Sequence, residues 1–225
     1  MLMKQTFLQV RTLLAAGLLA AAALAGCSED PSGQALGGAV ALQPDDRILG
    51  APDAPVTVIE YASLTCGACA GFHATAFKAL KEQYIDTGKV RWVLREFPTP
   101  PQDRAVAGFM LARCLPEDRY FAFVDVLFRT PQQWVTAHNA SEELRRIARS
   151  AGMSDADFNA CLSDDAAIQR IADVTETGNT TYGVDSTPSF IIDGRKYTNM
   201  PLQDFVAILD PLVGAAEETA ADENS

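Results

Sequence analysis

A strand, a helix and a second strand follow one another in the first half of the chain. Residues 56–61 (VTVIEY) and 90–97 (VRWVLREF) are apolar, β-branched runs bounded by prolines, and each run predicts a buried strand. Between them, residues 66–84 carry apolar side chains at spacings of three and four, which indicates an amphipathic helix. Parallel strands need such a crossover, and it is right-handed in nearly all sheets. This unit limits the chain to an α/β fold built around a parallel pair of strands.

The middle of the chain shows helical patterns alone. From residue 103 to about residue 181, apolar side chains recur at helical spacing, and Ser141 and Ser154 stand where capping residues would begin helices. The predicted helices are 105–115, 120–128, 142–151 and 155–174. The region of about 102–181 is therefore predicted to be an all-helical subdomain inserted into the α/β fold.

A shorter half of the sheet follows this insert. Residues 189–192 (SFII) predict a strand, Asp193-Gly194 predicts a hairpin turn, and residues 196–198 predict the partner strand. A last helix over residues 202–212 is expected to end at Gly214. The predicted layout is a β-α-β half, a helical insert and a β-β-α half.

The charge balance excludes one class of partner. The chain of 225 residues has 18 basic and 29 acidic residues, a net charge of −11, and no basic cluster. Phosphate binding needs Lys and Arg along one face, so we expect no nucleic-acid partner. Apolar residues make up 48% of the chain and charged residues 21%, which is enough apolar material for a sizeable core.

The N-terminus predicts export. Two basic residues accompany an unbroken apolar run over residues 13–25, which is shorter than the ~20 residues of a membrane-spanning helix but suits a secretory signal. The run ends in Leu24-Ala25-Gly26-Cys27, which resembles the lipobox of bacterial lipoproteins, whose cysteine is acylated and becomes the new N-terminus. Residues 1–26 are therefore predicted to be a lipoprotein signal peptide, with Cys27 as the lipidation site. An ordinary signal with an incidental cysteine is the alternative.

Two flanking segments complete the predicted domain organisation. Residues 27–44 are rich in Gly, Ser, Ala and Pro and are expected to form a flexible tether. Residues 214–225 are acidic and polar and are expected to form a disordered tail. The folded domain would cover residues 45–213. Acyl chains would anchor it to a membrane of the bacterial cell envelope, facing the periplasm.

The sequence Cys66-Gly67-Ala68-Cys69 stands where the first strand turns into the first helix. Free backbone N–H groups and the positive end of the helix dipole favour a thiolate at Cys66, which would be the attacking thiol. Cys69 lies one turn later and would resolve the mixed disulfide by attacking it. A lone Cys-x-x-Cys pair also serves in zinc sites, but a pair that opens the helix of a β-α-β unit favours redox chemistry.

Two further polar residues lie near this pair in the sequence. Glu60 stands six residues before Cys66 among apolar neighbours, so we expect it to be partly buried beneath the pair and to relay a proton to or from Cys69. A carboxylate on a solvated strand face is the alternative. His73 stands four residues after Cys69, on roughly the same helix face, and with the two thiols it would form a soft ligand set for copper or zinc. A packed or hydrogen-bonded histidine is the preferred interpretation.

Once Cys27 is assigned to lipid, four cysteines remain, and two of these lie outside the Cys-x-x-Cys pair. Cys114 and Cys161 both follow apolar residues at helical spacing, and an oxidising compartment favours a structural disulfide between them. The disulfide would close a loop of about 48 residues and stabilise the fold by up to ~4 kcal/mol. Two buried free thiols are the alternative.

Several motifs occur together over about residues 44–214. They are Glu60, Cys66-Gly67-Ala68-Cys69, Gly71-Phe72-His73, and Thr187-Pro188-Ser189-Phe190 ahead of the Asp193-Gly194 turn. This combination resembles the DsbA-like branch of the thioredoxin superfamily. The resemblance implies a thioredoxin-like fold with a helical insert, in which Thr187 and Pro188 form a cis-proline loop against the two cysteines. It also implies thiol-disulfide oxidoreductase activity without a metal or another cofactor.

The resemblance implies partners as well. In that family the backbone before the cis-proline pairs with extended substrate, so the substrates would be extended or unfolded exported proteins with thiols. A membrane redox partner would return Cys66 and Cys69 to their starting redox state after each reaction. Isomerases of the superfamily carry a dimerisation domain ahead of the fold, for which residues 28–46 are too short and too polar, so we expect a monomer.

The dipeptide Gly67-Ala68 departs from the strongly oxidising members of the family, which place a proline and a histidine between the cysteines. The departure predicts a moderate oxidant. Two other functions are compatible with the sequence: a metal-handling thioredoxin-like lipoprotein, and a thioredoxin-like module that binds partners without turnover.

Overall fold

A computed structural model describes residues 41–223 of the chain. The predicted signal peptide 1–26, the lipidation site Cys27 and most of the predicted tether lie outside the described residues, as do the last two positions. Within residues 41–223, no helix combines the length and the apolar character needed to cross a membrane.

Five strands form one mixed sheet in the described part of the chain. Their order is β1-β3-β2-β4-β5, with β2 and β3 parallel and the other neighbouring pairs antiparallel. The strands are β1 Arg47–Leu49, β2 Val56–Ala62, β3 Val90–Glu96, β4 Ser189–Ile192 and β5 Arg195–Thr198. In the parallel pair, Val56 lies opposite Val90 and Ala62 lies opposite Glu96, so both strands end at the same edge of the sheet. The short edge strand β1 was not predicted.

The crossover between β2 and β3 is one helical segment with a break in it. It consists of α1 Gly67–Ala74, α2 Ala76–Leu80 and a π-helical turn over Lys81–Ile85. Thr75 has backbone angles of φ −123° and ψ −87°, outside the helical range, and its Oγ1 donates a hydrogen bond to the Gly71 carbonyl at 2.8 Å. A threonine that bonds back to this carbonyl competes with regular helix geometry. The prediction of one continuous helix is therefore wrong at this residue.

The helical insert lies between β3 and β4, as the sequence predicts. Its helices are α3 Gln102–Cys114, α4 Glu117–Arg129, α5 Pro131–Trp134, α6 Ala140–Ser150, α7 Asp155–Leu162 and α8 Asp165–Tyr182. The predicted helix 155–174 is two helices, because Asp164 caps α8 by accepting hydrogen bonds from the backbone N–H groups of Ala166 and Ala167. The mixed sheet and the insert confirm the predicted α/β class with an inserted helical subdomain.

Only one of the two predicted serine caps is correct. The Ser154 side chain accepts a hydrogen bond from the backbone N–H of Asp157 and begins α7. At α6 the cap is Asn139, whose side chain accepts from the backbone N–H of Glu142, and Ser141 lies inside the helix. Asparagine and serine are comparable caps, and the earlier residue takes the position here.

The last helix is longer than predicted. Helix α9 covers Leu202–Glu223 and continues through Gly214, the residue at which the helix was expected to end. Residues 214–223 are mostly alanine and glutamate, and these strong helix formers outweigh the ~1 kcal/mol cost of one interior glycine. The prediction of a disordered tail is therefore wrong for residues 214–223.

Apolar side chains cover both faces of the sheet. One face packs against α1, α2 and α9 through a cluster that includes Val58, Phe72, Trp92, Phe190, Phe205 and Leu209. The other face contributes a cluster that includes Ile59, Tyr61, Val93, Val174 and Ile191, and there it meets α8. Because side chains alternate along a strand, Glu60 points to the same face as Val58, toward α1.

We predict opposite effects for two glycine substitutions. At Gly178 in α8, a Cβ atom would lie 2.6 Å from Cε1 of the fully buried Tyr61 ring. Gly178→Ala should therefore lower the free energy of unfolding by about 1–3 kcal/mol, although alanine favours helix. At Gly214 in α9 a Cβ would meet nothing within 4 Å, so Gly214→Ala should raise the free energy of unfolding by up to ~1 kcal/mol. Urea unfolding followed by circular dichroism measures both, and effects of equal sign would contradict this packing.

Candidate active site

The pair Cys66 and Cys69 flanks the first turn of α1. Cys66 is the N-cap residue, in extended backbone with φ −80° and ψ 119°, and its Sγ accepts a hydrogen bond from the backbone N–H of Cys69 at 3.4 Å. The Cys66 N–H donates to the Ser63 carbonyl at 3.1 Å and closes the turn between β2 and α1. Cys66 is partly exposed, whereas Cys69 is 0% exposed. The sulfur that an incoming molecule can reach is therefore that of Cys66.

The environment of Cys66 favours its thiolate. Its pKa is lowered to about 5, from the ~8.5 of a free thiol. The largest cause is the hydrogen bond with the Cys69 thiol, and partial burial opposes it. The Thr187 side chain and the backbone N–H groups of Ala68 and Cys69 lower the pKa further. At neutral pH, Cys66 is charged at the positive end of α1.

Cys69 behaves in the opposite way. Its pKa is raised, chiefly because the thiol is buried, and also by its hydrogen bond with Cys66 and by the charge of Glu60. The sulfurs of Cys66 and Cys69 therefore differ in protonation state. Cys66 is a thiolate at the surface, and Cys69 is a protonated thiol beneath it. This difference suits attack by the outer sulfur and a delayed loss of the proton from the inner one.

A proline loop lies beside Cys66. The Thr187–Pro188 peptide bond is cis and leads into β4. The carbonyl oxygen of Thr187 lies 3.3 Å from the Cys66 Sγ, although the two residues are 121 positions apart. Pairing of β4 with β2, in which Ser189 lies opposite Tyr61, brings the loop to the start of α1.

Glu60 lies in β2 beneath α1 and is 0% exposed. The indole Nε1 of Trp92 donates a hydrogen bond to its Oε2 at 3.1 Å. The Nε2 atom of His73 lies 3.1 Å from Oε1 and 3.0 Å from Oε2. The burial excludes the alternative of a solvated strand face. The contact with His73 was not predicted, and the only sequence signal for it was the helical spacing that puts His73 on the face of Cys69.

Cys114 and Cys161 form a disulfide within the insert, with their Sγ atoms 2.10 Å apart and their Cα atoms 6.2 Å apart. The bond joins the last residue of α3 to α7. Cys161 is 4% exposed, but Cys114 is exposed at the point where α3 leaves the core. Helical spacing after apolar residues predicts an apolar helix face for both cysteines, and this prediction is wrong for Cys114.

The arrangement around His73 does not suit a metal ion. Within residues 41–223, no group of three or more His, Cys, Asp or Glu side chains is placed to hold one. The His73 side chain is 5% exposed, and its Nε2 faces Glu60 instead of the two cysteines. The ligand set Cys66, Cys69 and His73 is therefore not assembled.

Comparisons with known proteins agree with this site and fold. The thioredoxin family model matches residues 42–211, which include both halves of the sheet and the helical insert. The crystal structure of Wolbachia pipientis α-DsbA1 is 31% identical and superposes with a TM-score of 0.73, over 80% of this chain and 96% of that one. The chain is a DsbA-like member of the thioredoxin family. A second structure, BdbD from Bacillus subtilis, is 21% identical with a TM-score of 0.65, covers 79% of this chain and 100% of that one, and shares the fold.

Curated relatives of this DsbA-like chain are longer than it is. A Rickettsia bellii protein named "Putative protein-disulfide oxidoreductase" is 31% identical over 170 residues, which are 75% of this chain and 65% of the relative. A second relative, from Rickettsia typhi, is 31% identical over 167 residues, which are 74% of this chain and 61% of the relative. The chain thus spans less than two thirds of the length of these relatives.

We predict that the Cys66 thiol of the reduced protein titrates with a midpoint near pH 5. Below this pH the sulfur is a neutral thiol, and above it the sulfur is a thiolate that absorbs in the ultraviolet and reacts with alkylating agents. Because the Cys69 thiol supplies the largest lowering effect, Cys69→Ala should raise the midpoint, and Cys69→Ser, which keeps a donor, should raise it less. Cys66→Ser, the control, should show no thiolate in this range. An unchanged midpoint in Cys69→Ala would contradict the assigned cause.

Proposed function

We propose that this protein is a thiol-disulfide oxidoreductase that forms or exchanges disulfides in exported proteins through Cys66 and Cys69. The observation that carries the proposal is the difference between the two sulfurs, a stabilised thiolate at Cys66 above a buried, protonated Cys69. The cis Thr187–Pro188 loop beside Cys66 supports it. The names of the relatives, a protein-disulfide oxidoreductase and a DsbA, support the same reaction.

In the oxidising direction, a substrate thiolate attacks the Cys66 sulfur of the Cys66–Cys69 disulfide. A bond forms between the substrate and Cys66, the bond between the two cysteines breaks, and Cys69 leaves with the electron pair. Cys66 is the reachable sulfur because Cys69 is fully buried. The departing Cys69 sulfur takes up a proton, and the buried Glu60 is the group proposed to exchange it.

A second substrate thiolate then attacks the substrate sulfur of the mixed disulfide. A disulfide forms within the substrate, and Cys66 leaves as a thiolate. Thiols with a low pKa leave faster, and the pKa of Cys66 is lowered to about 5. The substrate has lost two electrons, and the protein holds them as a dithiol until a membrane redox partner accepts them.

The pKa of Cys66 also indicates the redox poise. A stabilised thiolate favours the reduced protein and so raises its reduction potential. Thioredoxin, with a thiol pKa of ~7, has a potential of ~−270 mV, and DsbA, with a pKa of ~3.5, has a potential of ~−120 mV. A pKa of about 5 lies between these two, because Gly67 and Ala68 add no side-chain donor. We expect a moderate oxidant, near the ~−180 mV of protein disulfide isomerase.

Equilibration with reduced and oxidised glutathione should therefore give a potential between ~−120 and ~−270 mV. The protein should also oxidise the thiols of a reduced, unfolded model protein. Cys66→Ser should abolish turnover, and Cys69→Ser should accumulate mixed disulfides with the substrate, because the resolving thiol is gone. The double variant Cys66→Ala/Cys69→Ala is the control for thiols outside the pair. A potential at or below ~−270 mV would identify a reductase and contradict the proposal.

The proposed substrates are extended or unfolded proteins with thiols. A peptide bonded to Cys66 would meet the backbone of the Thr187–Pro188 loop, and extended chains bind such loops by adding a strand. We propose that the protein works on them as a monomer.

We also propose that the protein is lipid-anchored at Cys27 in the bacterial cell envelope and faces the periplasm. The apolar run over residues 13–25 and the Leu24-Ala25-Gly26-Cys27 sequence support this proposal. Several acyl chains would give stable anchoring without a spanning helix.

Cys27→Ser should therefore release the protein from the membrane fraction, and radiolabelled fatty acid should no longer be incorporated. Ser28→Ala, at the next position, is the matched control and should stay in the membrane fraction. If Cys27→Ser remains bound to membranes after a salt wash, the lipid anchor is contradicted.

A further inference from the structure

Glu60 brings a carboxylate into the apolar region between the sheet and α1, where it is 0% exposed. A charge buried away from water is costly unless hydrogen-bond donors or opposite charges face it. Within residues 41–223, the side chains of His73 and Trp92 are the hydrogen-bond partners of the Glu60 carboxylate. In the proposed reaction Glu60 exchanges a proton with Cys69, whereas the buried His73 beside it has no assigned role.

Aromatic side chains from three helices hold the His73 ring in place. Phe128 of α4 stacks on it, with the ring centroids 4.2 Å apart and the planes at 19°. Phe77 of α2 lies at 4.4 Å, and Phe72 of α1 meets the ring edge-on at 5.4 Å and 90°. The ring is therefore fixed with Nε2 directed at the carboxylate, within 3.1 Å of both oxygens.

We propose that His73 is a positioning residue for the resolving thiol: its Nε2–H holds the Glu60 carboxylate where it exchanges a proton with Cys69. The inference rests on the proposed roles of Cys66, Cys69 and Glu60. Cys69 and His73 are four residues apart on α1 and share one face of the helix, and Glu60 lies below that face in β2. Trp92 holds one carboxylate oxygen from the sheet, and His73 fixes the carboxylate from the helix.

The step that depends on this carboxylate is closure of the disulfide, which oxidised glutathione can drive. The Cys66 thiolate attacks one glutathione sulfur, a mixed disulfide forms, and a glutathione thiolate leaves. Cys69 then gives its proton to Glu60 and attacks the Cys66 sulfur, and the second glutathione leaves with the electron pair of the broken bond. Two electrons pass from the dithiol to glutathione. His73 transfers no proton and acts through the orientation of Glu60.

The experiment mixes reduced protein with oxidised glutathione and follows both steps by stopped flow and acid-quenched mass analysis. His73→Phe keeps a ring against Phe128 but has no donor, and we expect it to slow the second step roughly tenfold. The first step, which needs only Cys66, should stay within about twofold of wild type. His73→Gln keeps an N–H donor and should recover most of the rate of the second step.

A double-mutant cycle separates positioning from packing. Once Glu60→Gln has removed the carboxylate, His73→Phe should have no further effect on the second step. Equal slowing by His73→Phe in both backgrounds, or slowing of the first step as well, would overturn the inference and indicate that His73 only packs.

Two measurements on the wild-type protein distinguish a failure of this inference from a failure of the proposed function. If wild-type protein does not exchange with oxidised glutathione, the proposed function is contradicted. The hydrogen bond is measured independently by ¹⁵N NMR of the histidine rings, which should show a proton on Nε2 of His73. A ring protonated at Nδ1 alone would overturn the donor role of His73, even if every His73 variant failed to fold.

Discussion

Strand β2 ends at Ala62, and the chain turns into α1 with Cys66 as its N-cap. The first N–H groups of a helix have no partner within it, and here they face the Cys66 sulfur. This interaction depends on the crossover that returns the chain to β3, because the parallel pair fixes where α1 begins. The buried Cys69 and the carbonyl of Thr187 are then arranged around a sulfur whose position the helix has already set.

The site keeps two negative charges apart with a neutral thiol between them. The Cys66 thiolate is stabilised at the exposed end of α1, and the Glu60 carboxylate is held below α1 by Trp92 and His73. Both charges act on Cys69 and add to the effect of its burial, so its pKa is raised. In the proposed reaction, Cys69 therefore keeps its proton until a mixed disulfide at Cys66 has replaced the thiolate. The order of the two chemical steps follows from this distribution of charge.

The helical insert contributes to the site as well as covering the core. Phe128 of α4 stacks on the His73 ring, so the insert fixes a side chain that lies beneath the cysteines. The segment that leads from β3 into the insert is tied to the turn before Cys66, because Thr65 Oγ1 donates to the Thr99 carbonyl at 2.8 Å and the Thr99 N–H donates to Ser63 Oγ at 3.0 Å. Movement of the insert would therefore displace the turn that carries Cys66.

The sequence by itself determined the β-α-β unit, the helical insert, the Cys66–Cys69 pair at a helix start and an acid on an apolar strand, because these depend on local periodicity and spacing. It did not determine edge strand β1, because a run of three residues is too short to show a strand pattern and forms a strand by pairing with β3. It also did not determine the break in the helix at Thr75. The contact of Thr187 with Cys66, 121 residues apart, was expected only from the family resemblance, and the contact of His73 with Glu60 comes from the tertiary structure alone. Sheet pairing and helix packing decide which side chains that are distant in the sequence come into contact in the core. The spacing of residues along the chain does not show which of them will meet.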